Sequence, residues 1–147
     1  PEWYLQANYD RAQLLKFRTI GGVGARTPVS EGRWGEVGAG ASLMFEDERL
    51  ELPDTAAHPR KTTTVRASTF VSFRLVASQV LVTSTSYVQT RFDDLGDVRV
   101  LHDLSVATPV SDRLAMTVSL DMRYDSGPPD GLSALDARLR TGLTFQY

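Results

Sequence analysis

The stretch Leu114-Ala115-Met116-Thr117-Val118-Ser119-Leu120-Asp121-Met122-Arg123-Tyr124 decides the fold. Leu114, Met116, Val118, Leu120, Met122 and Tyr124 make one apolar face, and Ala115, Thr117, Ser119, Asp121 and Arg123 make a small or polar one. Period two is the mark of a strand, because successive side chains leave it on opposite sides. Residues 135–147 repeat the pattern. Leu135, Ala137, Leu139, Thr141, Leu143, Phe145 and Tyr147 oppose Asp136, Arg138, Arg140, Gly142, Thr144 and Gln146. An ordinary globular strand has ~5–6 residues, whereas a tilted strand that crosses a bilayer needs ~9–11. Both runs have spanning length.

Six further segments toward the N-terminus alternate in the same way. Residues 98–107 set Val98, Val100, His102, Leu104 and Val106 against Arg99, Leu101, Asp103, Ser105 and Ala107. Residues 80–91 are strand by composition, with Val80, Val82 and Val88 assigned to the apolar side. Residues 62–75, 35–45, 15–26 and 3–10 complete the set, while 8–17 and 43–52 lack the cap and apolar stripe that a helix requires. The prediction is an all-β, antiparallel up-and-down transmembrane β-barrel of eight strands, one domain over 1–147.

The connections alternate as well. Segments 46–61, 92–97 and 125–134 are moderate to long, whereas 27–33, 76–79 and 108–113 are tight and 11–14 is short. Two of the tight segments carry Thr-Pro-Val-Ser, at 27–30 and 108–111, a turn-forming composition. Short turns on one rim and longer loops on the other are typical of bacterial outer-membrane barrels. An even strand count puts both termini on the short-turn side. If Thr108 faces Leu114, Arg99 lies opposite Arg123, with Asp121 and Asp125 on the diagonals.

Composition narrows the classes. The chain has 147 residues, 41% of them apolar and 23% charged, a net charge of −2 and no cysteine. One domain is the default at this length. The charge balance gives no pull toward nucleic acid. Without cysteine there is no disulfide framework, thiolate nucleophile or sulfur-ligated metal. No apolar run approaches the ~18 residues of a membrane-spanning helix, which leaves barrels untouched. The first residue is Pro1, so the chain is expected to be a mature or truncated product whose signal peptide has been removed.

Alternation alone does not say which face is wet, since a soluble barrel has the same period with its apolar face inward. Three features favour an apolar face turned to lipid. The clearest strands are long and unbroken. Trp3, Tyr4, Phe45, Tyr87, Phe92, Tyr124, Phe145 and Tyr147 sit toward strand ends, as interfacial girdles do. The last strand, with Leu139, Leu143, Phe145 and Tyr147 on one face, resembles the C-terminal signal that barrel-insertion machinery reads.

The segment Tyr124-Asp125-Ser126-Gly127-Pro128-Pro129-Asp130-Gly131, then Asp136 and the final Leu-Thr-Phe-Gln-Tyr, supports a closer comparison. With Leu15-Lys16-Phe17-Arg18 and Gly22-Val23-Gly24, it resembles a poorly characterised family known as salt-induced outer-membrane proteins. The resemblance implies a β-barrel of the Gram-negative outer membrane with no agreed activity. Members are usually longer, so the eight strands are either a whole barrel or the C-terminal part of a larger one.

A polar interior would be crowded with charge: Arg18, Arg26, Glu36, Arg66, Arg99, Asp103, Asp121, Arg123, Asp136, Arg138 and Arg140 share inward parity. An eight-stranded barrel is just wide enough for side chains to fill, so these charges are expected to pair as a structural plug. In a wider barrel the same arginines would line an anion-favouring pore. Gly22, Gly24, Gly38 and Gly40 also have inward parity and are read as sites of curvature or close packing, with a ligand groove as the alternative.

His102 is an imidazole on the apolar face. A lipid-deacylating dyad on the pattern of a serine two residues on fails, because that position is Leu104 and Ser105 has the other parity. A lipid or subunit contact, or a bulge turning His102 inward, is expected instead. His58 falls in a loop, and no metal-binding or phosphate-loop spacing is present. Glu46-Asp47-Glu48 and Asp93-Asp94 are read as solvated rim, with loose divalent-cation binding as the alternative. No cofactor, metal or catalytic residue is assigned. The expected function is an integral outer-membrane protein with a structural or envelope-assembly role. A narrow porin-like pore is the alternative, and a lipid-modifying barrel enzyme a weaker one. Expected partners are outer-membrane lipid, the insertion machinery and other envelope proteins, without nucleic acid.

Overall fold

A computed structural model describes residues 1–145, so Tyr147 lies outside the described residues. Eight strands follow in order: β1 Glu2–Asp10, β2 Leu15–Gly32, β3 Gly35–Leu50, β4 Lys61–Ala77, β5 Val80–Arg91, β6 Val98–Ser111, β7 Leu114–Asp125 and β8 Leu135–Phe145. A single turn of 3-10 helix, Arg11–Gln13, joins β1 to β2. Neighbours in sequence are neighbours in the sheet, and every pairing is antiparallel. The sheet curls into a half-barrel. Among the described residues β1 pairs only with β2 and β8 only with β7. At the long-loop rim the turn after β1 reaches β8, where Gln13 Nε2 donates to Asp136 Oδ2 at 3.2 Å.

Several strands run further than the alternation predicts. β2 continues to Gly32, β3 to Leu50 and β6 to Ser111, so the tight connections shrink to residues 33–34, 78–79 and 112–113. The two Thr-Pro-Val-Ser segments are not turns. Each lies inside a strand at a register shift, between Pro28 and Ser30 and between Pro109 and Ser111. Proline has no N–H for the ladder, and a bulge is one of the few places a sheet tolerates it. With a two-residue turn and the one-residue bulge, the pairing stands two residues from the expected register, so Thr108 faces Met116 rather than Leu114. Arg99 therefore faces Asp125, and Leu101 faces Arg123. A two-residue shift preserves the face of every side chain.

Polarity is inverted relative to a water-soluble fold. The convex face carries exposed Leu5, Val23, Leu43, Val71, Val88, Met116, Leu139 and Leu143. Among the described residues the buried hydrophobics are Leu15, Ile20, Met44, Leu50 and Leu52, near the long-loop rim. Exposed aromatics on the convex face fall toward both strand ends: Tyr9, Phe17, Phe45 and Tyr124 at the long-loop side, and Trp3, Phe73 and Phe145 at the other. Two aromatics expected there point inward instead. Tyr4 pairs with Gly22 and bonds Ser42 Oγ at 3.2 Å, and Tyr87 packs on Phe70 with ring centroids 5.4 Å apart.

Two inward glycines make room for aromatic rings. Gly22 faces Tyr4, and Gly40 faces Phe70, directly across the ladder. Each ring lies where a Cβ on the glycine would be. The glycines therefore hold aromatic partners rather than an open groove, a pairing that fixes register in curved sheets. Arg26 stacks 5.1 Å from the centre of Phe70. At the first hairpin, Gly35 has φ +146, and a Cβ there would strike the Arg74 carbonyl. Gly40→Ala is expected to lower stability by about 1–3 kcal/mol in equilibrium urea unfolding, the usual cost of overpacking. Adding Phe70→Leu should recover only part of it, because the Ala25 carbonyl oxygen, 2.7 Å from the added Cβ, stays in place.

Candidate functional site

The concave face holds a cluster of fixed charge beneath the long loops. Its centre is Glu46 on β3, which is 2% exposed. Glu46 Oε1 lies 2.6 Å from Arg18 Nε of β2 and 2.8 Å from Arg99 Nη1 of β6. Its Oε2 accepts from Arg66 Nε of β4 at 3.1 Å. Arg66 then grips Asp97, in the loop between β5 and β6, through two hydrogen bonds of 2.9 and 3.2 Å. Arg91 Nη1 reaches the same carboxylate at 3.2 Å. Arg99 Nε donates to Asp125 of β7 at 2.8 Å, the contact that the shifted register creates. Glu48 adds a longer contact, 3.6 Å from Arg99 and 3.8 Å from Arg18.

Local sequence positions these groups by parity alone. Met44, Glu46 and Glu48 are inward residues of β3, alternating with outward Phe45 and Asp47. Burial makes an unpaired charge costly, and here acids and guanidinium groups alternate so that each charge has a partner of opposite sign. Arginine suits the task because its planar fork serves two carboxylates at once, as Arg66 and Arg99 both do. In the loop above, hydrogen bonds from Arg91 hold the Asp93 carboxyl below its ordinary range.

Of the residues assigned to an interior charge network, Arg18, Arg66 and Arg99 join this cluster. Asp103 and Asp121 face each other across β6 and β7, and Asp121 accepts from Arg140 Nη2 at 2.5 Å. Asp136 accepts from Arg138 Nη2 at 3.0 Å, so β8 carries its own pairs. Arg123 stands in register with Asp136 and lines a cavity of about 450 Å³ between β1 and the β7–β8 end. Gln6, Asn8, Leu101 and Gln89 also line it. Arg26 lies 3.3 Å from Glu2, and Glu36 pairs in register with Arg74.

Glu46, Glu48 and Asp97 were not legible as network members. The alternation through Phe45 continues into Asp47 and Arg49 and carries Glu46 and Glu48 inward, because β3 runs to Leu50 rather than ending at the expected residue 45. Their burial overturns the reading of Glu46-Asp47-Glu48 as solvated rim. Among the described residues no group of three or more His, Asp or Glu could hold a metal ion. His102 faces outward rather than in, and its ring Nδ1 is 2.8 Å from Ser86 Oγ on the neighbouring strand. A search for serine along the same strand misses that partner, because it comes from across the ladder. Leu139, Leu143 and Phe145 form an exposed outward row on β8.

These features define a class: an all-β, up-and-down, barrel-like sheet with an ionic interior and an apolar exterior. The chain belongs to the family described as "Protein of unknown function, DUF481", whose model matches residues 2–147. No curated protein and no solved structure gives a match.

Glu46→Gln is expected to cost about 3–5 kcal/mol, since it leaves the buried Arg66 and the half-buried Arg18 and Arg99 without their shared anion. Combined with Arg99→Gln, the loss should fall short of the sum of the single losses by about 0.5–3 kcal/mol in a double-mutant cycle. Strict additivity would mean that the two side chains are uncoupled.

Proposed function

We propose that the chain is an integral β-barrel protein of the Gram-negative outer membrane, with a structural or envelope-assembly role and no through-channel. The observation that carries this reading is the inversion of polarity. Charged groups are buried on the concave face while Trp3 is 87% and Leu139 69% exposed on the convex one. In water such a surface would be a severe aggregation hazard; in lipid it is the favourable arrangement. Strand lengths of 9–18 residues reach or exceed the ~9–11 that a tilted strand needs to cross a bilayer. Two-residue turns on one rim and longer loops on the other, with aromatics toward both ends, match the usual barrel plan.

Its partners on this reading are outer-membrane lipid and, during assembly, insertion machinery that reads the outward row of β8. The resemblance to salt-induced outer-membrane proteins fits the same picture. A narrow pore is the competing reading, favoured by the unpaired edges of β1 and β8, which extra strands would widen. The Glu46–Arg99 link argues against it, because it crosses the concave face from β3 to β6.

Three measurements test the reading. Folded protein in detergent should change its gel mobility on boiling. Purified protein in planar bilayers should give no reproducible stepwise conductance, and discrete steps would favour the pore. In a Trp34→Phe variant, leaving Trp3 as the sole tryptophan, fluorescence should be quenched by brominated lipid and not by aqueous acrylamide. The opposite quenching pattern would contradict membrane insertion.

A further inference from the structure

The outward belt is apolar along most of its length, and its clearest polar break is the pair Ser86 and His102 on β5 and β6. Ser86 and His102 are directly paired across the ladder and hydrogen-bonded, Oγ to Nδ1, at 2.8 Å. Proton counting shows what this pair needs. A neutral imidazole has one N–H and serine one O–H, and their mutual bond uses one of the two. If Ser86 donates to Nδ1, the Nε2–H is left over; if Nδ1–H donates to Ser86, the hydroxyl proton is left over. In either tautomer one donor remains, and among the described residues it has no side-chain or backbone acceptor. A donor without an acceptor is strongly disfavoured in hydrocarbon.

Depth selects the acceptor. His102 pairs with Met122, and the next outward residue of β7 toward the long-loop rim is the exposed aromatic Tyr124. Two residues of strand are ~7 Å, so the pair sits just beneath the level that an interfacial aromatic marks. That is where the ester carbonyls of membrane lipids lie, below the headgroups and above the chains. Val71 and Met122, the partners of Ser86 and His102 on β4 and β7, flank the pair with apolar surface for the chain that follows the ester.

We propose that Ser86 and His102 form a lipid-binding site that donates a hydrogen bond to the acyl-ester carbonyl of a membrane lipid. The inference rests on the convex face meeting lipid.

The test is nitrogen NMR of the full chain in lipid nanodiscs, made either from dimyristoyl phosphatidylcholine or from its ether-linked analogue, which keeps the phosphate and lacks the carbonyls. The chain has only two histidines, and loop residue His58 serves as the internal control. The His102 ring resonances should shift between the two lipids while those of His58 do not. Ser86→Ala should change the His102 signal in both lipids. Identical His102 spectra in the two lipids would overturn the proposal and point to a phosphate or a protein acceptor. Methionine methyl groups separate this from failure of the membrane reading. Outward Met116 and Met122 should show contacts with acyl chains and buried Met44 should not. Loss of those contacts would sink both readings, whereas contacts with an unresponsive His102 would sink only this one.

Discussion

One buried carboxylate ties the concave face together. Glu46 on β3 takes guanidinium groups from β2, β4 and β6, and those arginines hand on to Asp97 and Asp125. A flat sheet would hold β3 and β6 three strand spacings apart, roughly 14 Å. Joining them through one glutamate and one arginine requires the sheet to curl. Below the cluster, Phe70 packs against Tyr87 and Arg26, and Tyr4 lies over Gly22, so aromatic rings fill what the ions do not. Curvature, interior filling and strand register thus support one another.

The same construction decides the exterior. With period-two strands, placing most charges on the concave face, apart from Asp47 and Arg49 at the long-loop rim, leaves the rest of the convex face largely to Val, Leu, Phe and Met. The curled sheet cannot bury that surface against itself, which is what the proposed lipid setting would accommodate. Against such a background the Ser86–His102 pair stands out, because polar groups facing lipid are uncommon and each needs a partner.

Much of this was legible in residues 114–124 and 135–145, where alternation runs unbroken and fixes both strand and face. The eight strands and their order followed from the same pattern. Register was less legible. Thr108-Pro109-Val110-Ser111 has turn composition, yet its proline is accommodated by a bulge inside β6, and only that bulge brings Arg99 opposite Asp125. Glu46 was hidden for a different reason. Three acids and an arginine in residues 46–49 look like solvated loop, and nothing local reveals the arginines of β2, β4 and β6 waiting across the sheet. The partner of His102 was missed likewise, since cross-strand neighbours depend on register rather than sequence spacing.

Which face of the sheet meets lipid is reported most directly by spin labels along β7. Labels placed singly at positions 115 to 123 in membrane-reconstituted protein should show period-two accessibility to dissolved oxygen. Maxima are expected at Met116, Val118, Leu120 and Met122, and minima at Thr117, Ser119 and Asp121. The opposite phase, or high accessibility of the even positions to a water-soluble nickel chelate, would contradict a lipid-facing convex surface.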